Sequence, residues 1–375
     1  MERARSATGL DDFGEDSFRE GLEMLVASID REARLNEAGK ASSDGQIVAF
    51  LSNRLKVEDW YRRHPEIDDQ EIRGPLFGLG LPRTGSTALS QILGADPNTR
   101  FIRNWEALQP CPPPESATEH DDPRIALAEQ MLARRNQMFP RMKAMVPSTA
   151  TGPVECSTFQ AYDFKSQLFQ AMAHVPTYVE WLNHKADLVP TYRYLKRVMK
   201  LLQWRCPPTR WRLKNPGHSL FITALDEVFP DARFWMTHRD IASVLPSVAD
   251  LYYELSKPSS DHVDMAYLGR ENAEWTELGL RRVIAFRDKG GQDHRFFDIH
   301  FAPFQKDPYP ILDQLYAFLG EELSEETKKR MEEWRRAMPR DTYERLPPSA
   351  FGIDLDALRE RFRFYTDRFG VLEAR

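Results

Sequence analysis

Three features are scarce or absent in this sequence of 375 residues. It has 3 cysteines, which lie far apart and lack the C-x-x-C or Cys/His spacing of a zinc site. No run approaches the roughly 18 apolar residues of a membrane-spanning helix. There is no excess of positive charge either, because 51 basic and 57 acidic residues leave a net charge of −6. No basic stripe of the kind that binds nucleic acid stands out.

These absences narrow the classes of protein to consider. Cys111, Cys156 and Cys206 are expected to stay reduced, and the charged N-terminus has no apolar signal core. We therefore expect a cytoplasmic protein with no metal site, no membrane span and no nucleic-acid partner, and leave its oligomeric state open. Because the overall charge is negative, any anionic ligand must be bound by basic residues gathered at one place.

The most informative stretch spans residues 76–93. A short apolar run is followed by a loop from Gly80 to Gly85 and then by a helical pattern in which Leu89, Ile92 and Leu93 share a face. This order predicts a strand, a tight loop and a helix. Such a loop directs backbone N–H groups and the positive end of a helix dipole at one point, which favours a bound phosphate or sulfate.

This loop departs from the nucleotide-binding pattern G-x-x-x-x-G-K-[ST] at one position. Gly80, Gly85 and Thr87 fit the pattern, but Ser86 stands where the lysine should be. The only cation in the loop is Arg83, whose guanidinium suits a single terminal anionic group. A glycine-rich turn that merely closes the fold is the plain alternative.

The rest of the chain alternates predicted helices with predicted strands. Amphipathic patterns predict helices at 18–29, 47–64, 122–139, 191–204, 219–228, 241–251 and 311–319, and apolar runs predict strands at 211–214, 233–237 and 295–300. Strand, helix and strand at this spacing indicate crossovers between parallel strands. We expect an α/β fold with a P-loop-like central parallel β-sheet flanked by helices. Its parts would be an N-terminal helical extension at 1–70 and a main domain at 71–375, with a helical insertion at about 110–205.

Residues that bind anions follow three of the predicted strands. Arg83 lies in the first loop, Lys214 and His218 follow the second strand, and Arg239 follows the third. The carboxyl ends of parallel strands meet at one edge of a sheet, where ligands bind. These side chains would therefore form a pocket for a ligand with more than one charged group.

Together these motifs resemble the sulfotransferases that use 3′-phosphoadenosine 5′-phosphosulfate (PAPS), in particular the bacterial type with the loop P-R-[ST]-G-[ST]-T. Pro82 to Thr87 match that loop, Leu213 to His218 are similar to L-K-x-P-x-H, and Arg239 with Ser247 matches R-x7-S. The resemblance implies that Arg239 and Ser247 hold the 3′-phosphate of PAPS. It also implies that the 5′-phosphosulfate is held by the loop residues Arg83, Thr84, Gly85, Ser86 and Thr87.

Sulfuryl transfer to an acceptor hydroxyl or amine needs a base that takes the acceptor proton. His218 matches the family histidine, and its ordinary pKa lies near ~6.5. Glu155 resembles an acidic position of the family where a glutamate can act as base. We expect His218 to be catalytic and Glu155 to be its partner or the actual base. Lys214 and Arg83 would stabilise charge on the leaving phosphate.

Two other functions compete with this interpretation. A P-loop kinase or nucleotide hydrolase is disfavoured because Ser86 replaces the lysine and no acidic Mg²⁺ partner stands at a strand end. A non-catalytic module that binds a nucleotide is the other alternative. The sequence does not identify the acceptor. Aromatic residues between 159 and 181 suit an apolar pocket, but hydroxyl groups of small molecules, lipids and carbohydrates are all compatible with it.

Overall fold

A computed structural model of the chain describes residues 1–208, 210–337 and 342–373. Its strands are β1 Leu76–Gly80, β2 Thr99–Arg100, β3 Arg210–Lys214, β4 Arg233–His238 and β5 Phe296–His300. They form one sheet in the order β2-β3-β1-β4-β5, and every neighbouring pair is parallel. The expected central parallel sheet is confirmed.

Helices cover both faces of this sheet. The α-helices are α1 Glu2–Thr8, α2 Ser17–Glu32, α3 Glu37–Arg63, α4 Ser86–Gly94, α5 Asn104–Leu108, α6 Pro123–Met138, α7 Pro140–Met145, α8 Ser157–Gln160, α9 Leu168–Met172, α10 Pro176–His184, α11 Val189–Gln203, α12 Ile222–Val228, α13 Ile241–Ser256, α14 Met265–Asp288, α15 Phe301–Lys306, α16 Tyr309–Leu319, α17 Glu325–Ala337, α18 Leu355–Arg361 and α19 Arg363–Phe369. None of those in the described ranges combines the length and apolar character that crossing a bilayer requires.

The central strand β1 is buried along its whole length because it packs against helices on both sides. Phe77 and Leu79 point into the larger hydrophobic core, which also contains residues of α11, α12 and α13. Leu76 points into a second core formed with α4, α16 and α17. Because β1 is the middle strand of the five, the first loop emerges at the centre of the sheet edge.

Gly78 lies in β1 where the Trp235 ring of the neighbouring strand crosses it. A Cβ atom at this position would overlap that buried ring. We expect Gly78→Ala to lower the free energy of unfolding by about 2 kcal/mol, measured by urea denaturation, because a packed core cannot make room for the added carbon. Gly45→Ala is a matched control, since the site in α3 is open and alanine favours a helix. Equal urea midpoints of unfolding for Gly78→Ala and Gly45→Ala would contradict this explanation.

The N-terminal helices pack against the rest of the chain around a buried arginine. Arg54 of α3 is fully buried and donates hydrogen bonds to the carbonyls of Phe13 and Glu15, each at 2.7 Å. The same guanidinium lies 3.4 Å from the carboxylate of Asp163. The larger core continues from α2 and α3 into the main domain. A division at residue 70 stays a prediction.

Several element boundaries differ from the predictions. Helix α3 begins ten positions before the predicted start at residue 47, where the Asn36 side chain caps it and accepts a hydrogen bond from the N–H of Gly39. Helix α12 begins at Ile222 because Pro216–Ser219 forms a 3-10 turn. Helix α14 and strand β2 were not predicted. The two glycines of α14 weaken its helical pattern, and both are sites where a Cβ would collide with a packed segment.

Candidate active site

The loop after β1 is held in a fixed shape by left-handed backbone angles and a buried threonine pair. Gly80, Arg83 and Gly85 have φ values of 102°, 61° and 82°. Thr84 is fully buried and donates a hydrogen bond to the Leu81 carbonyl at 2.7 Å. Since that bond uses its only proton, Thr84 accepts the 2.5 Å hydrogen bond from Thr237. The loop is therefore fastened to the end of β4.

Helix α4 starts directly behind this loop. Gly85 is its N-cap and contributes no side chain, so the first N–H groups of the helix have no side-chain cap. Ser86 and Thr87 form its first turn, with Ser86 buried and Thr87 half-buried. These N–H groups, the two hydroxyls and the positive helix end are the elements that bind anions in other loops of this form.

Two arginine side chains meet beside the loop. Arg83 donates hydrogen bonds to the Ser247 hydroxyl at 3.2 Å, the Met145 carbonyl at 2.8 Å and the Tyr343 hydroxyl at 2.9 Å. Arg239 donates to the carbonyl of Arg83 at 3.0 Å. Within the described ranges neither guanidinium forms an ion pair with a carboxylate. Two positive charges without a direct carboxylate partner in a partly buried site attract an anionic ligand.

The pKa values of this site reflect the same positive charge. Burial, helped by the nearby guanidinium groups of Arg345 and Arg83, lowers the pKa of Arg239. Burial would raise the pKa of the Tyr343 phenol, but the charge of Arg83 and hydrogen bonds with Ser247 and Arg83 bring it below its ordinary value. The lowered pKa of Tyr343 reflects the nearby guanidinium charge, whereas the lowered pKa of Arg239 is due mainly to burial.

An ion pair lies at the end of β3. Lys214 donates a 2.5 Å hydrogen bond to Oε1 of Glu155. The lysine side chain is 8% exposed and the glutamate side chain is 40% exposed, so the carboxylate faces open space while the ammonium is enclosed. The N–H of Cys156 donates to the Lys214 carbonyl at 3.1 Å, which fixes the Glu155 segment against the strand.

His218 lies apart from this pair, inside the core. It is fully buried, shares a 2.8 Å hydrogen bond between its Nδ1 and the Tyr192 hydroxyl, and packs edge-on against the Phe77 ring. Its Nε2 has no hydrogen-bond partner among the described residues. Burial lowers the pKa of His218 to about 3, so the ring is neutral near pH 7.

A cavity of about 320 Å³ opens beside Glu155. Its walls are mainly apolar and come from α7, α9, α13 and α14, with Met142, Leu168, Val248, Leu251, Leu255 and Trp275 among them. Pro82 of the first loop reaches the same cavity, and His218 is not part of its lining. The polar groups at the wall include Gln167 and Tyr252. The cavity thus joins a carboxylate, the loop after β1 and an apolar space.

A sequence comparison decides the family. The model of the Sulfotransferase family matches residues 75–325. This chain belongs to the sulfotransferase family. The match covers β1 through the start of α17 and therefore includes the loop, the Lys214–Glu155 pair and both arginines.

Several solved and curated sulfotransferases are similar to this chain in structure or in sequence. Sulfotransferase STF9 from Mycobacterium avium is 30% identical, with a TM-score of 0.91 over 99% of this chain and 96% of that one. Sulfotransferase STF1 from Mycobacterium tuberculosis is 29% identical, with a TM-score of 0.86 over 96% of each chain. The omega-hydroxy-beta-dihydromenaquinone-9 sulfotransferase Stf3 of Mycobacterium bovis is 26% identical over 260 residues, or 66% of this chain. That alignment spans 62% of the length of the curated relative.

For this sulfotransferase, the structure brings most of the predicted site residues together. Arg83 forms hydrogen bonds with both Ser247 and Arg239. Lys214 forms an ion pair with Glu155, whereas His218 lies in the core, away from this pair. Their roles stay predictions. Sequence reasoning missed Thr237, Met145 and Tyr343. Thr237 could have been found from its place just before His238 and Arg239, but the other two reach Arg83 from 62 and 260 positions away without any local signal.

Proposed function

We propose that this sulfotransferase moves the sulfuryl group of PAPS to a hydroxyl group of an acceptor with an apolar body, and that Glu155 is the base. The observation that carries the proposal is the Lys214–Glu155 pair, whose carboxylate faces an apolar cavity beside the loop. A kinase or hydrolase activity has no comparable support, since Ser86 leaves the loop without the lysine that bridges nucleotide phosphates.

The residues at the sheet edge fit the donor. The loop N–H groups, Ser86, Thr87 and Arg83 would hold its 5′-phosphosulfate, and Arg239 with Ser247 would hold its 3′-phosphate. The fit rests on the two guanidinium groups, whose present hydrogen-bond partners are carbonyls and hydroxyls. Charged oxygens form shorter and stronger hydrogen bonds with guanidinium groups than neutral oxygens do. Exchange of these partners for phosphate oxygens is therefore favourable.

The proposed chemistry is an in-line displacement at sulfur. The oxygen of the acceptor hydroxyl bonds to sulfur as the bond from sulfur to the bridging phosphate oxygen breaks. Glu155 accepts the proton of that hydroxyl. Lys214 keeps the carboxylate in place, and with Arg83 it stabilises the negative charge that grows on the leaving phosphate. The apolar cavity excludes water, which would otherwise compete with the acceptor.

Glu155 suits the role of base better than His218. A base must come within hydrogen-bond reach of the proton that it accepts. Glu155 lines the cavity, whereas His218 is fully buried and its Nδ1 is bonded to Tyr192.

The acceptor class follows from the cavity wall. Side chains such as Leu251, Leu255 and Trp275 offer apolar contact, and Glu155 provides one polar end. This arrangement suits a hydrocarbon chain that ends in a hydroxyl. The relative named as an omega-hydroxy-beta-dihydromenaquinone-9 sulfotransferase supports the same class.

Labelled PAPS offered with different acceptors tests the proposal. We expect transfer to long-chain and isoprenoid alcohols in detergent and little transfer to sugars of similar hydroxyl content, because the few polar groups of the mainly apolar wall replace only some of the hydrogen bonds that a sugar makes with water. Transfer to sugars alone would contradict the acceptor class. Binding of PAPS without transfer to any acceptor would contradict the enzymatic function.

A further inference from the structure

Exposed apolar side chains of the described residues are concentrated on one helix. Three of the five large ones lie on α6, and they are Leu127, Met131 and Met138, with exposed fractions of 41%, 49% and 53%. At 3.6 residues per turn these positions fall within about 40° of one another. They form a single apolar face of α6, on which about half of each side chain is exposed.

Positive charge accompanies this face. Helix α6 contains three basic residues and one acidic residue, Glu129, and residues 130–154 contain four basic side chains and no Asp or Glu, although the whole chain has a net charge of −6. Arg134 is exposed on the same side of α6 as Met131 and Met138, and it makes no ion pair with a described residue. Arg141 contributes less, because Asp250 at 2.6 Å and Glu254 at 2.5 Å neutralise it.

Helix α6, which carries this face, and the following α7 also form a wall of the cavity beside Glu155. Arg135 of α6, Met142 of α7 and the following Val146 line that cavity. Arg135 bonds only to neutral oxygens of Asn136 and Val146 among the described residues, so its positive charge is also available. Helix α6 therefore contributes both to the apolar face and to the wall of the cavity that contains Glu155.

We propose that the face formed by Leu127, Met131 and Met138 is a docking surface for an anionic phospholipid bilayer. This inference rests on the proposed function, because a bilayer is the reservoir of an acceptor with a long apolar body. A helix lying at the bilayer surface inserts its apolar side chains between acyl chains and keeps cations at the headgroups. Docking of a second copy through this face is opposed, since a two-fold axis would bring the charges of Arg134 and its copy together.

Sedimentation with vesicles tests the docking surface. The protein should bind vesicles of phosphatidylcholine with phosphatidylglycerol and bind those of phosphatidylcholine alone less well, because the attraction is partly electrostatic. The triple variant Leu127→Glu, Met131→Glu, Met138→Glu should lower the affinity for mixed vesicles about tenfold or more. Arg134→Glu should weaken binding to mixed vesicles only. Val26→Glu is the matched control, since Val26 is an exposed apolar residue on α2, and it should bind like the unaltered protein.

Each other outcome has a defined meaning. Failure of the unaltered protein to bind mixed vesicles, or equal binding by the triple variant, would overturn the docking surface. So would a dimer in light scattering that the triple variant abolishes. Thermal stabilisation by 3′-phosphoadenosine 5′-phosphate should be the same in all variants, which checks that they are folded. Vesicle binding that depends on the three side chains, with no sulfuryl transfer to any acceptor, would support the surface and contradict the proposed function.

Discussion

Replacing Glu155 with Gln is expected to lower kcat by about a hundredfold to ten-thousandfold. Glutamine has nearly the same shape, and its amide oxygen can still accept the hydrogen bond from Lys214, but it cannot accept the acceptor proton. Binding of PAPS should change little, because Glu155 faces the acceptor cavity. Steady-state kinetics with labelled PAPS give kcat, and calorimetry with 3′-phosphoadenosine 5′-phosphate gives the affinity for the donor product.

The corresponding change at His218 separates the two candidate bases. His218→Gln alters a fully buried side chain and should lower the urea midpoint, since it disturbs the contacts with Tyr192 and Phe77. The folded fraction should keep most of its kcat. A pKa of about 3 also means that titration of His218 should not appear in a rate profile between about pH 5 and 8. A large loss of kcat in folded His218→Gln, with normal turnover in Glu155→Gln, would reverse the assignment.

These two residues show where sequence reasoning reaches its limit. Alternating apolar strands and amphipathic helices predict a parallel sheet with loops at one edge. The sequence therefore places both Glu155 and His218 near predicted elements of this fold. Whether a side chain near that edge faces the cavity or the core depends on the 3-10 turn at Pro216–Ser219 and on helix α11, which places Tyr192 against His218. Such contacts arise from tertiary packing and have no local pattern in the chain.

The loop was more predictable for a physical reason. Positive φ angles need glycine or a tolerant residue, so Gly80 and Gly85 reveal the turn in the sequence itself. The contacts of Arg83 were not predictable, since Met145 belongs to α7 and Tyr343 to a segment near the other end of the chain. The family resemblance predicts Arg83, Ser247 and Arg239 as site residues. The structure adds that Arg83 forms hydrogen bonds with the other two.

Replacing Arg239 with Met should weaken binding of 3′-phosphoadenosine 5′-phosphate about a hundredfold, because a buried phosphate would lose its charged partner. The loss should be specific to one end of the ligand. Adenosine 5′-phosphosulfate lacks the 3′-phosphate, so its affinity should be nearly the same for Arg239→Met and the unaltered protein. Arg83→Met should weaken the binding of both ligands, since the loop is proposed to hold the 5′ end of the ligand and both contain a 5′-phosphate group. Calorimetry with each ligand and the three proteins, unaltered, Arg239→Met and Arg83→Met, measures the six affinities.

The comparison of ligands also tests whether the site is divided as proposed. Arg239 donates to the backbone carbonyl of Arg83, so Arg239→Met could disturb the loop as well as remove a charge. Disturbance of the loop would weaken adenosine 5′-phosphosulfate too, whereas loss of a 3′-phosphate partner would not. Arg330→Met on α17 serves as control, because that arginine pairs with Glu326 on the protein surface. Equal losses for both ligands in Arg239→Met would show that Arg239 acts by supporting the loop, and the assignment to the 3′-phosphate would be wrong.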